Sequence, residues 1–191
     1  MSTKKGKLVV ISGPSGAGKT SVCRALKQRP DVEFSVSATT RLMRQGERDG
    51  IDYHFLTRED FQRRVSENQF LEWASYNGNL YGTPRWPMDT ALAHGKTFLV
   101  EIEVKGTRQL RERGIPGLYV FIAPPSIDEL RARLERRGSN APAEIQERVR
   151  LAEEEVLAAR EVVAGVPMYD VTVTNHDLEA TIREVEGLIW P

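Results

Sequence analysis

Short unbroken apolar runs alternate with helically spaced stretches along this chain. Residues 8–12 (LVVIS), 97–102 (TFLVEI), 117–122 (GLYVFI) and 170–173 have the continuous apolar character of strands covered on both faces. A helical pattern follows each run. The first is residues 21–29 (SVCRALKQR), and the last closes the chain from about residue 178 to 189. Ser126-x-x-Glu129 has the spacing of a capping box and predicts another helix start. Strand–helix alternation of this kind predicts an α/β fold with a mostly parallel sheet core flanked by helices.

Two stretches break the rhythm. Residues 34–94 contain a polar, glycine-punctuated segment, RLMRQGERDG, and an Asn77-Gly78 pair set between aromatics. Asn-Gly suits the two positive-φ positions of a type I′ turn, so a hairpin is predicted there, in a small mixed insert leaning on the core. Residues 127–161 are charged and helical, with Arg131, Arg133, Arg136 and Arg137 crowded together. The core is thus expected from residues 1–33, 95–126 and 162–191.

Composition narrows the class without naming a chemistry. The chain has 191 residues, 40% of them hydrophobic, enough for one substantial core. Lys plus Arg and Asp plus Glu are 27 each, a balance that argues against bulk electrostatic capture of nucleic acid or an anionic membrane. No apolar run approaches the roughly 18 residues of a membrane-spanning helix. One cysteine, Cys23, excludes an internal disulfide framework and any multi-cysteine metal site. The expectation is a cytoplasmic protein with no nucleic-acid or membrane partner.

The first strand runs into Gly13, Pro14, Ser15, Gly16, Ala17, Gly18, Lys19 and Thr20, which fits G-x-x-x-x-G-K-[ST] in full. Glycines let successive backbone N–H groups turn inward around an anion, and the following helix start adds positive charge. Lys19 can reach the β- and γ-phosphates of a nucleotide, and the Thr20 hydroxyl can ligate Mg²⁺. ATP and Mg²⁺ are therefore the expected co-substrate and cofactor.

The acceptor is suggested by an ordered set of further motifs: Ser37-Ala-Thr-Thr-Arg41-Leu-Met-Arg44-Gln-Gly-Glu47, Asp52-Tyr53-His-Phe55, Phe70-Leu-Glu72-Trp73, Asn79-Leu-Tyr81-Gly82-Thr83, Arg137-Gly138, and Glu147-Arg148. With the phosphate loop, this order and spacing resemble guanylate kinase over essentially the whole chain. The resemblance implies a core, a GMP-binding region at 34–94 and a mobile lid at 127–161. It implies transfer of the γ-phosphoryl group of ATP to GMP, and to dGMP, as a step in GTP and dGTP supply. Arg41, Arg44, Tyr53 and Tyr81 would hold the GMP phosphate. Glu72 would accept from the paired N–H donors of guanine, with Ser37, Thr83 and Glu103 nearby and Glu101 organising hydrated Mg²⁺. Arg133, Arg137 and Asn175 would serve the ATP side. Lys19, Arg44, Arg137 and Arg148 would act on the transferring group. Arg131 and Arg136 match the pattern less well and read as surface.

Some residues depart from the family pattern. Glu101-Ile-Glu103-Val-Lys105-Gly106 stands where Asp-x-Asp-x-Gln-Gly is usual, Met43 replaces a Pro, and His176 an Asp. His176 reads as an exposed loop histidine, Cys23 as a packing residue, and Pro87 as a residue that shortens or kinks the helix after Thr83. Other readings compete. A kinase for a different phosphorylated acceptor, such as a ribose bisphosphate, could share the loop and fold, but not the joint presence of Ser37, Glu72 and Tyr81-Gly82-Thr83. A GTPase needs N-K-x-D, and Thr174-Asn175-His176-Asp177 lacks the Lys. A non-catalytic protein-binding module typically loses the intact phosphate loop.

Overall fold

A computed structural model describes residues 5–136 and 141–191. The chain runs β1 (Lys7–Ser12), α1 (Lys19–Leu26), β2 (Val32–Phe34), β3 (Ala38–Thr39), β4 (His54–Phe55), α2 (Arg58–Ser66), β5 (Phe70–Tyr76), β6 (Asn79–Pro84) and α3 (Trp86–Ala93). It continues with β7 (Thr97–Glu101), α4 (Val104–Glu112), β8 (Leu118–Ala123), α5 (Ile127–Arg136), α6 (Pro142–Ala158), β9 (Val162–Val163), β10 (Val166–Pro167), β11 (Val171–Thr174) and α7 (Leu178–Ile189).

Five strands form an all-parallel sheet in the order β11-β8-β1-β7-β2. Alternate side chains on its strands enter two different cores, as the period of two requires. Leu8, Val10, Phe98, Val100, Tyr119 and Phe121 pack on one face, and Val9, Ile11, Leu99, Val120 and Ile122 on the other. Both faces are covered, which is why these strands read as unbroken apolar runs. Cys23 is buried in the second core, a packing residue as expected.

A second sheet, β4-β3-β6-β5, rises from the insert. Its own core holds Ala38, Phe61, Phe70 and Leu80, with the rings of Phe61 and Phe70 stacked 4.3 Å apart. The predicted hairpin is present: β5 and β6 pair antiparallel from Phe70↔Pro84 to Tyr76↔Asn79, and Asn77 and Gly78 take φ of 47° and 75°. Helix α4 fastens this sheet to the core. The Gln109 amide both accepts from the Trp73 N–H (3.2 Å) and donates to its carbonyl (2.9 Å), and Arg113 donates to the carbonyls of Phe70 and Leu71. Helices α5 and α6 share a small core of Leu130, Leu134, Ile145, Val149 and Ala152.

Three local expectations are corrected. Helix α1 starts at Lys19 rather than at residue 21, because Gly18 turns directly into it, and it ends at Leu26 rather than 29. Pro87 neither shortens nor kinks a helix. It lies in the first turn of α3, where no backbone donor is needed. The capping box is half formed: Ser126 Oγ accepts from the Glu129 N–H at 3.1 Å, while the Glu129 carboxylate turns to Arg133 and Arg136.

Candidate active site

The carboxyl ends of parallel strands are where α/β sheets bind ligands, because connecting loops and helix starts converge there. In this chain β1 ends in the phosphate loop, β2 in Ser35–Ser37, β7 in Glu101–Glu103, and β11 in Asn175. A cleft of about 1110 Å³ opens over the ends of β1, β2 and β7. Its walls include Gly13, Ser15 and Lys19 from the loop, Ser37 and Tyr53 from the insert, Glu101 and Glu103 beyond β7, and Arg148 from α6.

Helix α1 begins at the loop with no side-chain cap and no acidic residue in its first turn, so its N-terminal donors are left for an anion. Gly18 carries φ of 103°, and a Cβ there would sit 2.2 Å from Asn175 Nδ2. That close approach is used: Asn175 Nδ2 donates to the Ala17 carbonyl at 2.7 Å, and its Oδ1 accepts from Thr181. Lys19 Nζ lies back over the loop, donating to the carbonyls of Gly13 (2.6 Å) and Pro14 (3.0 Å). Burial lowers its pKa, a trend opposed chiefly by Glu101 and Glu155. The Thr20 hydroxyl donates to Glu101 Oε1 at 2.6 Å.

At the insert end, Thr83 Oγ1 donates to Glu72 Oε1 at 2.6 Å across the β5–β6 pair. Burial raises the Glu72 pKa, with the Thr83 bonds acting against it and Glu103 adding to it. Gly106 makes room for this carboxylate; a Cβ there would lie 3.1 Å from Glu72 Oε2. Arg41 is gripped by Glu47 through Nη1 (3.0 Å) and Nη2 (2.8 Å), a two-bond fork that holds its guanidinium over Tyr53, 5.3 Å from the ring centroid. Tyr53 and Tyr81 meet edge to face at 6.2 Å. The Arg44 side chain is exposed, while its backbone N–H donates to Glu47 at 2.7 Å.

A smaller cavity of about 350 Å³ lies on the other side of the loop, lined by Gly16, Gly18, Ser21, Arg133, Arg136, Asn175, His176 and Leu178. Arg133 donates to the Asn175 carbonyl at 2.9 Å and to Glu129 at 3.1 Å. Arg148 pairs with Glu144 at 2.8 Å and reaches Ser15 Oγ at 3.4 Å.

A family profile described as guanylate kinase matches residues 5–191. The chain belongs to the guanylate kinase family. A guanylate kinase from Carboxydothermus hydrogenoformans is 42% identical over 186 residues, covering 97% of this chain and 88% of that protein. A guanylate kinase from Synechocystis sp. is 44% identical, covering 97% and 94%. The crystal structure of guanylate kinase from Anaplasma phagocytophilum has a TM-score of 0.70 at 29% identity, covering 97% of this chain and 85% of that one.

Against the site expected from guanylate kinase, the structure gathers Ser37, Tyr53, Glu101, Glu103, Lys19 and Arg148 around the large cleft, and Arg133 and Asn175 around the small one. Glu72 and Thr83 pair on the floor of the insert, with Arg41 and Tyr81 beside Tyr53. Arg137 lies outside the described residues. Three residues stand at the site to which the sequence reading gave no role there. Glu47 positions Arg41 and Arg44, and its place six residues after Arg41 in one polar loop was the available signal. Arg136, read as surface, lines the small cavity beside Arg133. His176 is exposed as expected, yet lines the same cavity.

Proposed function

We propose that this chain transfers the γ-phosphoryl group of ATP to GMP, giving ADP and GDP, with Mg²⁺ as cofactor and the cytoplasm as its place of work. The observation that carries this reading is one cleft with a phosphate nest at one end and Ser37, Tyr53 and Glu103 at the other, roomy enough for two nucleotides. Residues 34–94 then form the GMP-binding region and residues 127–161 the lid.

Guanine is read by a carboxylate because its N1–H and N2–H₂ donors stand side by side. Glu72, already accepting from Thr83, has a second oxygen for that pair, and adenine presents no matching donors. A buried acceptor left unpaired by the wrong base costs about 1–3 kcal/mol. Arg41, Arg44, Tyr53 and Tyr81 receive the GMP phosphate. Its second pKa is about 6, so its oxygen is anionic at neutral pH and attacks without a general base.

The Thr20 hydroxyl and Glu101 carboxylate, 2.6 Å apart beside the nest, fit a hydrated Mg²⁺. Among the described residues no cluster of three His, Cys, Asp or Glu could chelate a metal, so water and phosphate oxygens would complete the shell, as Mg²⁺ prefers. When bound, Mg²⁺ neutralises phosphate charge. Lys19, the loop N–H groups, Arg137 and Arg148 stabilise the loose transition state by positioned positive charge. Arg133, Arg136 and Asn175 frame the ATP end.

Offering GMP, dGMP, AMP, CMP and UMP separately with ATP and Mg²⁺, and following ADP, tests the reading. GMP should turn over far faster than AMP, and Lys19→Ala should abolish the reaction. Equal use of AMP would overturn the Glu72 assignment, and ADP formation without any acceptor would point to an NTPase.

A further inference from the structure

Helix α6 presents one face to the large cleft: Glu144, Glu147, Arg148, Leu151, Glu154, Glu155 and Ala158 recur at the three- and four-residue spacing of a single helical stripe. Four of these seven are carboxylates, and they face the loop that is built to hold an anion. Three have partners. Glu144 pairs with Arg148, and Glu147 and Glu154 both pair with Arg150. The Glu155 carboxylate makes no hydrogen bond or ion pair with any described residue, although the residue is partly buried. A desolvated carboxylate without a partner is unfavourable, so its retention opposite Lys19 calls for a role.

We propose that Glu155 is a positioning residue that takes the electrostatic place of the incoming phosphates opposite Lys19 in the nucleotide-free protein, and that seating ATP requires it to be neutralised. The inference deepens the reading of the cleft as an ATP site and rests on it.

The surroundings of Glu155 supply the switch. Lys19 of α1 and Glu103 and Lys105 at the start of α4 line the same cleft as Glu155 and act on its charge, and Glu155 in turn acts on Tyr169. Burial is the largest influence and raises its pKa, Glu103 adds to the rise, and Lys19 and Lys105 oppose it. The result is about 7. Phosphates arriving at Lys19 bring negative charge beside the carboxylate and favour its protonated form further. ATP binding therefore takes up a proton, and affinity falls as pH rises from about 6 to 8. Lys105 stands where the family usually has Gln, so this chain carries an extra cation that keeps Glu155 ionised to a lower pH.

The test is calorimetric titration of ATP with Mg²⁺, without acceptor, between pH 6 and 8.5. Glu155→Gln should bind about fivefold more tightly than the natural protein at pH 8 and equally at pH 6, because only at the higher pH must the natural protein take up a proton to bind. In turnover assays, its KM for ATP should fall at pH 8 while kcat stays within about twofold. Lys105→Gln should move the midpoint of the natural protein's affinity loss to higher pH, which keeps the idea testable if Glu155→Gln does not fold. Equal affinity of Glu155→Gln at both pH values, weaker binding at pH 8, or an unmoved midpoint in Lys105→Gln would overturn it. Because the titration contains no acceptor, failure of GMP phosphorylation leaves this result standing, and the converse holds.

Discussion

Glu72, the proposed guanine reader, is a carboxylate held at the expense of stability. Its raised pKa arises first from burial. Its folded-state value lies above the unfolded one, so the folded chain binds more protons in the interval between them. Stability is therefore lost as pH rises from the ordinary carboxyl value of 4.5 through the folded value, and the penalty is complete above it. Glu72→Gln removes this penalty while keeping an oxygen for the Thr83 hydroxyl. Thermal unfolding at pH 7.5 should rise by a few degrees, since 1 kcal/mol shifts Tm by about 2–4 °C at this size. The same variant should lose about 10- to 100-fold in kcat/KM for GMP, with KM for ATP unchanged, because a charge-assisted hydrogen bond is worth about 1.5–3 kcal/mol. In the natural protein, KM for GMP should begin to climb on acidification at a higher pH than an ordinary carboxylate would impose. A fall in both Tm and GMP use would mean that Glu72 is mainly structural.

At the scale of elements, the phosphate loop is shaped from outside as well as by its glycines. Asn175, at the end of β11, satisfies the Ala17 carbonyl from beneath, and its own carbonyl receives Arg133. Asn175→Ala leaves a buried acceptor unpaired, a loss of about 1–3 kcal/mol. Thermal melts should drop by several degrees, and KM for ATP should rise about tenfold with KM for GMP little changed. An unaltered KM for ATP would argue that the glycines alone set the loop. The phosphate loop itself and the parallel strands were legible in the sequence, because burial on both faces writes a continuous apolar run: residues 97–102 and 117–122 lie within a residue of β7 and β8 at each end. The 77–78 turn was legible because few residues tolerate its backbone. Strands β3 and β4, two residues each, carry no period to read. The grip of Glu47 on Arg41 and the fit of Gly106 against Glu72 were also silent, since such contacts follow from tertiary placement. Glu155 was silent too, because a carboxylate on a charged helix looks like any solvated one until the fold sets it opposite Lys19.

For the whole molecule, the cleft is flanked by apolar groups that water still reaches. Ile51 and Tyr76 on the insert and Leu151 on α6 are exposed, and all three line it. Bringing these walls together over two nucleotides would bury them and keep water from the reacting phosphate. Leu151→Ser should leave Tm nearly unchanged but raise acceptor-free ATP hydrolysis several-fold relative to transfer; coupled ADP assays with and without GMP decide this. The route of the chain matters as well. Strands β2 and β7 lie side by side in the core sheet, Val32 beside Thr97, yet residues 35–96 run out and back between them. Closing so long an excursion is entropically unfavourable, and the deficit grows with the logarithm of its length, about 0.6 kcal/mol for each doubling. The β5–β6 hairpin needs only neighbours in sequence, and once formed it shortens the span still to be closed. Loop closure therefore favours an order of assembly in which the hairpin of the proposed acceptor-binding segment organises first, and the five-stranded sheet that carries the phosphate loop zips up behind it.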